Sequence, residues 1–188
     1  LRKVADNFGL TVVSEVVSES FIDDACKYCD MLQIGARNMQ NFVLLKEVGR
    51  SKMPVLLKRG ISSTIQEWLD AAEYIMSEGN YNVVLCERGI RTFENSTRNT
   101  LDISAVPVIK QKSCLPIIVD PSHACGNSSY IKSLSLASVA AGADGLMIEV
   151  HPDPKSACSD VYQQVTPAIY DDILSDVLKI ANVLGKTL

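Results

Sequence analysis

The sequence predicts an α/β fold built on a parallel sheet, and three observations carry that expectation. Short apolar segments recur along the 188 residues, and each closes on a polar or glycine cluster. Their apolar runs are continuous rather than alternating, as suits strands covered by helices on both faces. Stretches with helical spacing lie between them, and strand-then-helix repetition is the pattern of a parallel sheet. At this level a doubly wound sheet and a (β/α)8 barrel are both open.

The strand segments, in order, are TVVSEVV (11–17), DMLQIGARN (30–38), PVLLKRG (54–60), NVVLCERG (82–89), PIIVDPSH (116–123) and GLMIEVHP (145–152). Thr64-Ile65-Gln66-Glu67 has the spacing of a capping box, opening a helix through Trp68, Ala72 and Ile75 to Gly79. The Leu-, Ala- and Ser-rich stretch from Tyr130 to Ala143 predicts another helix. A last amphipathic helix is expected from about Tyr170 to Leu184, stopped by Gly185. PIIV reads as a core strand running into a polar loop, Asp120-Pro121-Ser122-His123, that holds one of the two histidines in the chain.

Composition bounds the function. The chain is 47% hydrophobic and 21% charged, as in a globular domain, and 188 residues suffice for one substantial core. A net charge of −4 argues against a general nucleic-acid binder. No apolar run approaches the roughly 20 residues that cross a bilayer, and the N-terminus lacks a signal peptide's apolar region. The chain does not open on Met, so it is expected to be processed or cut from something longer. The six cysteines have no disulfide-framework spacing and read as reduced, in a cytoplasmic protein. Cys26 and Cys29 form a lone Cys-x-x-Cys, read as two helix positions rather than half of a zinc site. The sequons at Asn95 and Asn127 read as chance matches. No phosphate-loop or GxGxxG signature follows any strand.

The chemistry gathers where the apolar segments end, the place at which both candidate architectures bind ligands. Those ends carry Glu15; Arg37 and Asn38; Lys58 and Arg59; Glu87, Arg88 and Arg91; Asp120 and His123; then Glu149 and His151. Singly, each would read as a solvated loop charge. Their shared register argues for a site. Arg37, Lys58 and Arg88 are cations on consecutive strand ends, suited to a doubly anionic ligand: arginine's planar fork fits phosphate and carboxylate, and lysine is a movable point charge. Imidazole and carboxylates from His123, Glu149 and, further on, Asp160 form a plausible set for manganese, iron, zinc or a similar divalent ion. A carboxylate inside the apolar run LMIEV is costly without a partner, which favours a role for Glu149.

The segments IGARNMQN, LLKRG, LCERGIRTFE, VDPSHA, IEVHPDP and SD..QQ together resemble 3-deoxy-D-arabino-heptulosonate 7-phosphate (DAHP) synthase, in its short, barrel-only type I branch. The resemblance runs from about residue 10 to 175. It implies a (β/α)8-type barrel of which about six βα units, the last six, are present, as a single domain over 1–188 incomplete at its N-terminus. It implies condensation of phosphoenolpyruvate with erythrose 4-phosphate to give DAHP and phosphate, the first step of the shikimate route. Carried over by motif, Arg37, Lys58 and Arg88 would hold phosphoenolpyruvate; Lys58 is also a candidate proton donor, by its reach. His123, Glu149 and Asp160 would ligate a divalent metal (Mn, Fe, Zn or Co), which would polarise the aldehyde. A homo-oligomer is expected.

Three features depart from the family pattern. The cysteine that completes the metal set and the Lys-Pro-Arg-Thr loop for the aldose phosphate find no match in this sequence. Cys125-Gly126-Asn127-Ser128 stands where Thr or Ser and basic residues are usual. Val161-Tyr162 follows Asp160 where a glycine is usual, so the turn that aims Asp160 is in question if it needs positive φ. Cys125 or Cys158 is the candidate substitute for the missing cysteine. Two further readings stand beside the synthase: a non-catalytic barrel that binds phosphoenolpyruvate or a partner, and the sister 3-deoxy-D-manno-octulosonate 8-phosphate synthase.

Overall fold

A computed structural model describes residues 1–186, which form two compact units, 1–86 and 87–186. Among these residues no helix is long and apolar enough to cross a membrane.

The first unit opens with helix α1 (Arg2–Phe8) and alternates strands with helices: β1 (Val13–Glu15), α2 (Ile22–Tyr28), β2 (Met31–Ile34), α3 (Phe42–Arg50), β3 (Val55–Lys58), α4 (Ile65–Met76) and β4 (Val83–Glu87). Each strand pairs in parallel with the next, Val13 opposite Met31, Leu32 opposite Val55, and Val55 opposite Val83. All four residues of β3 are buried, Val55–Leu57 as an apolar run and Lys58 at its end. Trp68 on α4 is fully buried, and its indole N–H donates to Leu57 O at 3.2 Å, which satisfies the polar atom of that side chain. Thr64 and Glu67 make the capping box reciprocally, which fixes where α4 starts. Helix α3 packs on α4 across Gly49, where a Cβ would lie 2.6 Å from Ile75 O. Cys26 and Cys29 are half-buried free thiols. The sequence offered no strong signal for α1. It is held by Arg2, whose guanidinium meets Asp30 at 2.6 Å, while Asp30 also accepts from Val12 N at 2.7 Å. Those two contacts hold the Asp30 carboxyl below its ordinary range.

In the second unit Glu87 O accepts from Asp120 N, and β5 (Ile117–Val119) pairs in parallel with β6 (Gly145–Leu146). Helices α5 (Ala105–Lys112), α6 (Pro121–Cys125), α7 (Ser128–Ala140) and α8 (Pro167–Val183) complete it. Ile131 and Val139 of α7 pack with Ile173, Val177 and Ala181 of α8 and with Val165 in one apolar cluster.

Two local expectations need correction. The DPSH segment is a short helix rather than a loop. Asp120 caps it by accepting from His123 N, and Pro121 occupies the first turn, where its missing N–H costs nothing. The strand expected over 145–152 keeps regular pairing only at Gly145–Leu146. Beyond it, Glu149 N donates to Ser122 Oγ, a side chain standing where a ladder carbonyl would be. Val165 N then donates to Glu149 O, and His151 N to Val165 O, so the segment after Gln164 continues the pairing.

Candidate active site

In the first unit, the cations sit where β2 and β3 end. Arg37 lies exposed in a single 3-10 turn, Ala36–Asn38, directly after β2. The turn starts at Gly35, where a Cβ would come within 2.0 Å of Glu15 Oε1, so the Glu15 carboxylate occupies the space above that glycine. Lys58 is the last residue of β3 and only 6% exposed; Arg59 follows at 4%. Arg59 donates to Ser63 O at 3.0 Å and lies over the Trp68 ring. Ammonium and guanidinium groups this deep are tolerated only in polar company, and both have interaction partners.

In the second unit, Glu87 and Arg88 are likewise buried, and the Glu87 carboxylate accepts from Gly89 N at 2.7 Å. His123, the third residue of α6, is oriented by Asp120. One carboxylate oxygen accepts from His123 N at 2.9 Å, and the other lies 2.7 Å from Nδ1. A fully buried carboxylate facing Nδ1 favours the tautomer with its proton there, which leaves the Nε2 lone pair for a ligand. Nε2 points toward Glu149, 3.6 Å from Oε1. The other Glu149 oxygen accepts from the side-chain amide of Gln163. Asp160 Oδ1 accepts from Arg98 Nη1 at 2.8 Å. One ligand atom each from His123, Glu149 and Asp160 lies within 4.8 Å of the others.

Asp160 itself carries the unusual backbone, with φ at 52°. Aspartate tolerates this left-handed region better than most residues. Val161 therefore needs no glycine-like φ, and the departure from the family's usual glycine leaves the turn intact: Gln163 N donates to Asp160 O at 3.1 Å. Cys125 is buried, with its thiol donating to Asn127 O and its pKa pushed up by desolvation, whereas Cys158 is exposed. Neither belongs to the three-residue group. His151 turns back on its own loop, where Nδ1 accepts from Asp153 N. Arg91 is exposed.

Sequence reasoning missed Arg98, Gln163 and Ser122. Ser122 and Gln163 lie inside motifs that carried the resemblance, so proximity to a ligand was the available signal. Arg98 is 62 residues from Asp160, and nothing local marks it.

The model of the DAHP synthetase I family matches residues 1–182. The chain belongs to the DAHP synthetase I family. It is 50% identical, over 98% of its length, to a phospho-2-dehydro-3-deoxyheptonate aldolase of Thermotoga maritima, covering 55% of that protein. A 2-dehydro-3-deoxyphosphooctonate aldolase of Syntrophotalea carbinolica is 33% identical over 85% of this chain and 61% of its own. The crystal structure of the Thermotoga maritima DAHP synthase superposes on the whole chain with a TM-score of 0.98 at 49% identity, over 55% of that structure. A truncated form of that synthase matches equally well, with 71% of it covered. The chain thus spans about half the length of the curated relatives it matches. The fold class is that of the (β/α)8-type barrel, represented by six parallel strands and their helices.

Proposed function

We propose that this chain carries the phosphoenolpyruvate- and metal-binding machinery of a DAHP synthase, within a single barrel domain. The reaction joins C3 of phosphoenolpyruvate to the aldehyde carbon of erythrose 4-phosphate. Water adds at C2 of phosphoenolpyruvate, and inorganic phosphate leaves, giving DAHP. The observation that carries the reading is the convergence of His123, Glu149 and Asp160, together with an imidazole already turned so that Nε2 faces a carboxylate.

That donor set, one nitrogen and two carboxylate oxygens, fits a borderline divalent cation such as Mn, Fe, Zn or Co. When bound, such an ion supplies Lewis-acid polarisation of an aldehyde oxygen. The protein's own share is positional and electrostatic. Asp120 holds the His123 ring, and Gln163 holds Glu149. Arg37, Lys58 and Arg88 are assigned to the phosphate and carboxylate of phosphoenolpyruvate. Their fixed positive charge offsets the charge developing as phosphate departs. Lys58 is also assigned as proton donor. The 50% identity to a heptonate aldolase, against 33% to an octonate aldolase, supports erythrose 4-phosphate over arabinose 5-phosphate as the acceptor. A cytoplasmic homo-oligomer completes the proposal. The exposed Val13, Val17, Phe21 and Tyr28 near β1 support burial against a further surface.

The test is phosphate release from phosphoenolpyruvate with either aldose phosphate, after chelation and after re-addition of Mn2+, alongside calorimetric titration of phosphoenolpyruvate. Metal-strengthened phosphoenolpyruvate binding is expected of this chain, and metal-dependent turnover with erythrose 4-phosphate of the full enzyme. Phosphoenolpyruvate binding without turnover in the full enzyme would instead establish the non-catalytic relative. No binding, with or without Mn2+, would end the proposal.

A further inference from the structure

Arg98 lies outside every motif that pointed to the site, yet its guanidinium reaches Asp160, one member of the His123–Glu149–Asp160 group. One nitrogen, Nη1, donates both to Asp160 Oδ1 at 2.8 Å and to Gln163 Oε1 at 2.9 Å. The same Gln163 amide donates through Nε2 to Glu149 Oε2. Gln163 is 2% exposed, so its amide cannot turn to water, and both its ends are committed. Flipping the amide would set N–H against guanidinium and oxygen against carboxylate, so the orientation is fixed by charge. One oxygen of each proposed carboxylate ligand is thereby held, while Glu149 Oε1 remains toward His123 Nε2.

The chain shapes itself to deliver Arg98. Arg98 N donates to Cys125 O, Asn99 N to Ala124 O, and Asn99 Nδ2 to His123 O, which lays this segment along α6. Gly126 follows α6 with φ at 68°, and a Cβ there would meet Arg98 Cβ at 2.7 Å. The arginine stem crosses the chain where only a glycine leaves room. The residue it reaches, Asp160, holds a backbone conformation that needs outside support.

We propose that Arg98 and Gln163 are positioning residues that preset the two carboxylates for a divalent cation, Arg98 through Asp160 and Gln163 through Glu149. The inference rests on the reading of His123, Glu149 and Asp160 as ligands. It is separate from fold stability. The Arg98–Asp160 pair is half-exposed, with side chains 45% and 31% accessible, and such pairs add little to folding. Removing the Arg98 guanidinium should therefore act on the ion and leave the fold in place.

The experiment is titration of the full chain with Co2+, reading the d–d absorption band and the dissociation constant, with apo thermal unfolding in parallel. Wild type, His123→Ala, Arg98→Ala, Arg98→Lys and Gln163→Leu are compared. His123→Ala tests the ligand reading itself and should lose the band. Arg98→Ala and Gln163→Leu should each weaken Co2+ binding roughly 10- to 100-fold, the usual effect of removing a group that orients a ligand. The apo midpoint should stay near wild type in Arg98→Ala, whereas Gln163→Leu, which removes a buried amide, should lower it modestly. Arg98→Lys keeps the charge but loses the planar fork, so it should fall between wild type and alanine. It also serves if the alanine variant fails to fold. Unchanged or tighter Co2+ binding in Arg98→Lys and Gln163→Leu, with His123→Ala still losing the band, would overturn the positioning role alone. Tighter binding in particular would mean that the guanidinium competes with the ion. Wild type without Co2+ binding would overturn both readings.

Discussion

The end of β3, in the first unit, and the loop around Asp160, in the second, each carry charged residues, but they hold them by different means. Lys58 and Arg59 are carried by a strand buried at every residue, in register with β2 and β4 and backed by Trp68. Their position is set by backbone pairing and apolar packing. Asp160 sits beyond any regular strand, in a left-handed conformation, and is placed by side chains: Arg98 on its carboxylate and, through Gln163, a tie to Glu149. The difference teaches where each region should break. The β3 end should fail through core packing, and the Asp160 loop through loss of single polar contacts that leave the fold standing.

The largest effects test whether the two regions serve one reaction. In the full enzyme, Lys58→Ala should lower turnover at least roughly 10^2–10^3-fold, the scale for losing one preorganised electrostatic contact to a developing charge. His123→Ala should do the same by a different route. A tenfold excess of Mn2+ should not rescue Lys58→Ala, and phosphoenolpyruvate titration should show its defect directly. Near-native turnover in either variant would sink the assignment of that residue.

Next comes Trp68→Ala. Removing a fully buried indole from α4 should cost about 3–5 kcal/mol in urea unfolding. The Co2+ affinity of the chain that remains folded should be unchanged, the reverse of the pattern expected for Arg98→Ala. Loss of Co2+ binding in Trp68→Ala would show that the two regions are not energetically separate.

The same contrast explains what could be read from the sequence. PVLLKRG announces β3 because a strand buried on both faces shows a continuous rather than alternating apolar run, and the capping box announces α4 because its two residues satisfy each other locally. His123 and Glu149 were legible as polar groups ending apolar runs. Asp160 needed the resemblance to gain weight. DPSH read as a loop because the signal for α6 is a single capping contact from Asp120 rather than any periodicity. GLMIEVHP read as a longer strand because its apolar run continues, whereas the actual partner of Glu149 N is the Ser122 hydroxyl, 27 residues away. Arg98 was invisible for the same reason. A contact across 62 residues leaves no local pattern, and its one trace is the need for glycine at 126.

That trace can be tested against a control inside the same chain. Gly9 and Gly126 have nearly the same φ, 64° and 68°, and both end helices. Nothing lies within 4 Å of a Cβ at Gly9, whereas one at Gly126 strikes Arg98. Gly9→Ala should cost only the left-handed strain, about 1–2 kcal/mol by urea unfolding. Gly126→Ala should cost more than that and should also weaken Co2+ binding, because the Arg98 stem must move. Equal costs and unchanged Co2+ binding would mean the close approach is relieved without disturbing the guanidinium.

The smallest expected effect belongs to a surface ion pair, and its pH dependence has a definite sign. Lys132 on α7 meets Asp172 at 2.6 Å and Asp176 at 2.7 Å on α8, and Lys179 adds a second contact to Asp176 at 2.7 Å. Hydrogen bonds from Lys132 and Lys179 lower the Asp176 carboxyl from 3.8 to about 2. A carboxyl held below its unfolded value favours the folded state above that value, and the benefit fades as pH falls through the folded one. The stability gap between wild type and Asp176→Asn should therefore be constant at neutral pH and narrow between about pH 4 and pH 2. The group is at the surface, so salt should shrink the gap at every pH. Because α7 and α8 share a continuous apolar seam through Ile131 and Ile173, losing the pair should leave their packing, and the ion affinity of the Asp160 loop, as they were. A fall in Co2+ affinity in Asp176→Asn would show instead that the loop depends on the helices below it, and not on Arg98 and Gln163 alone.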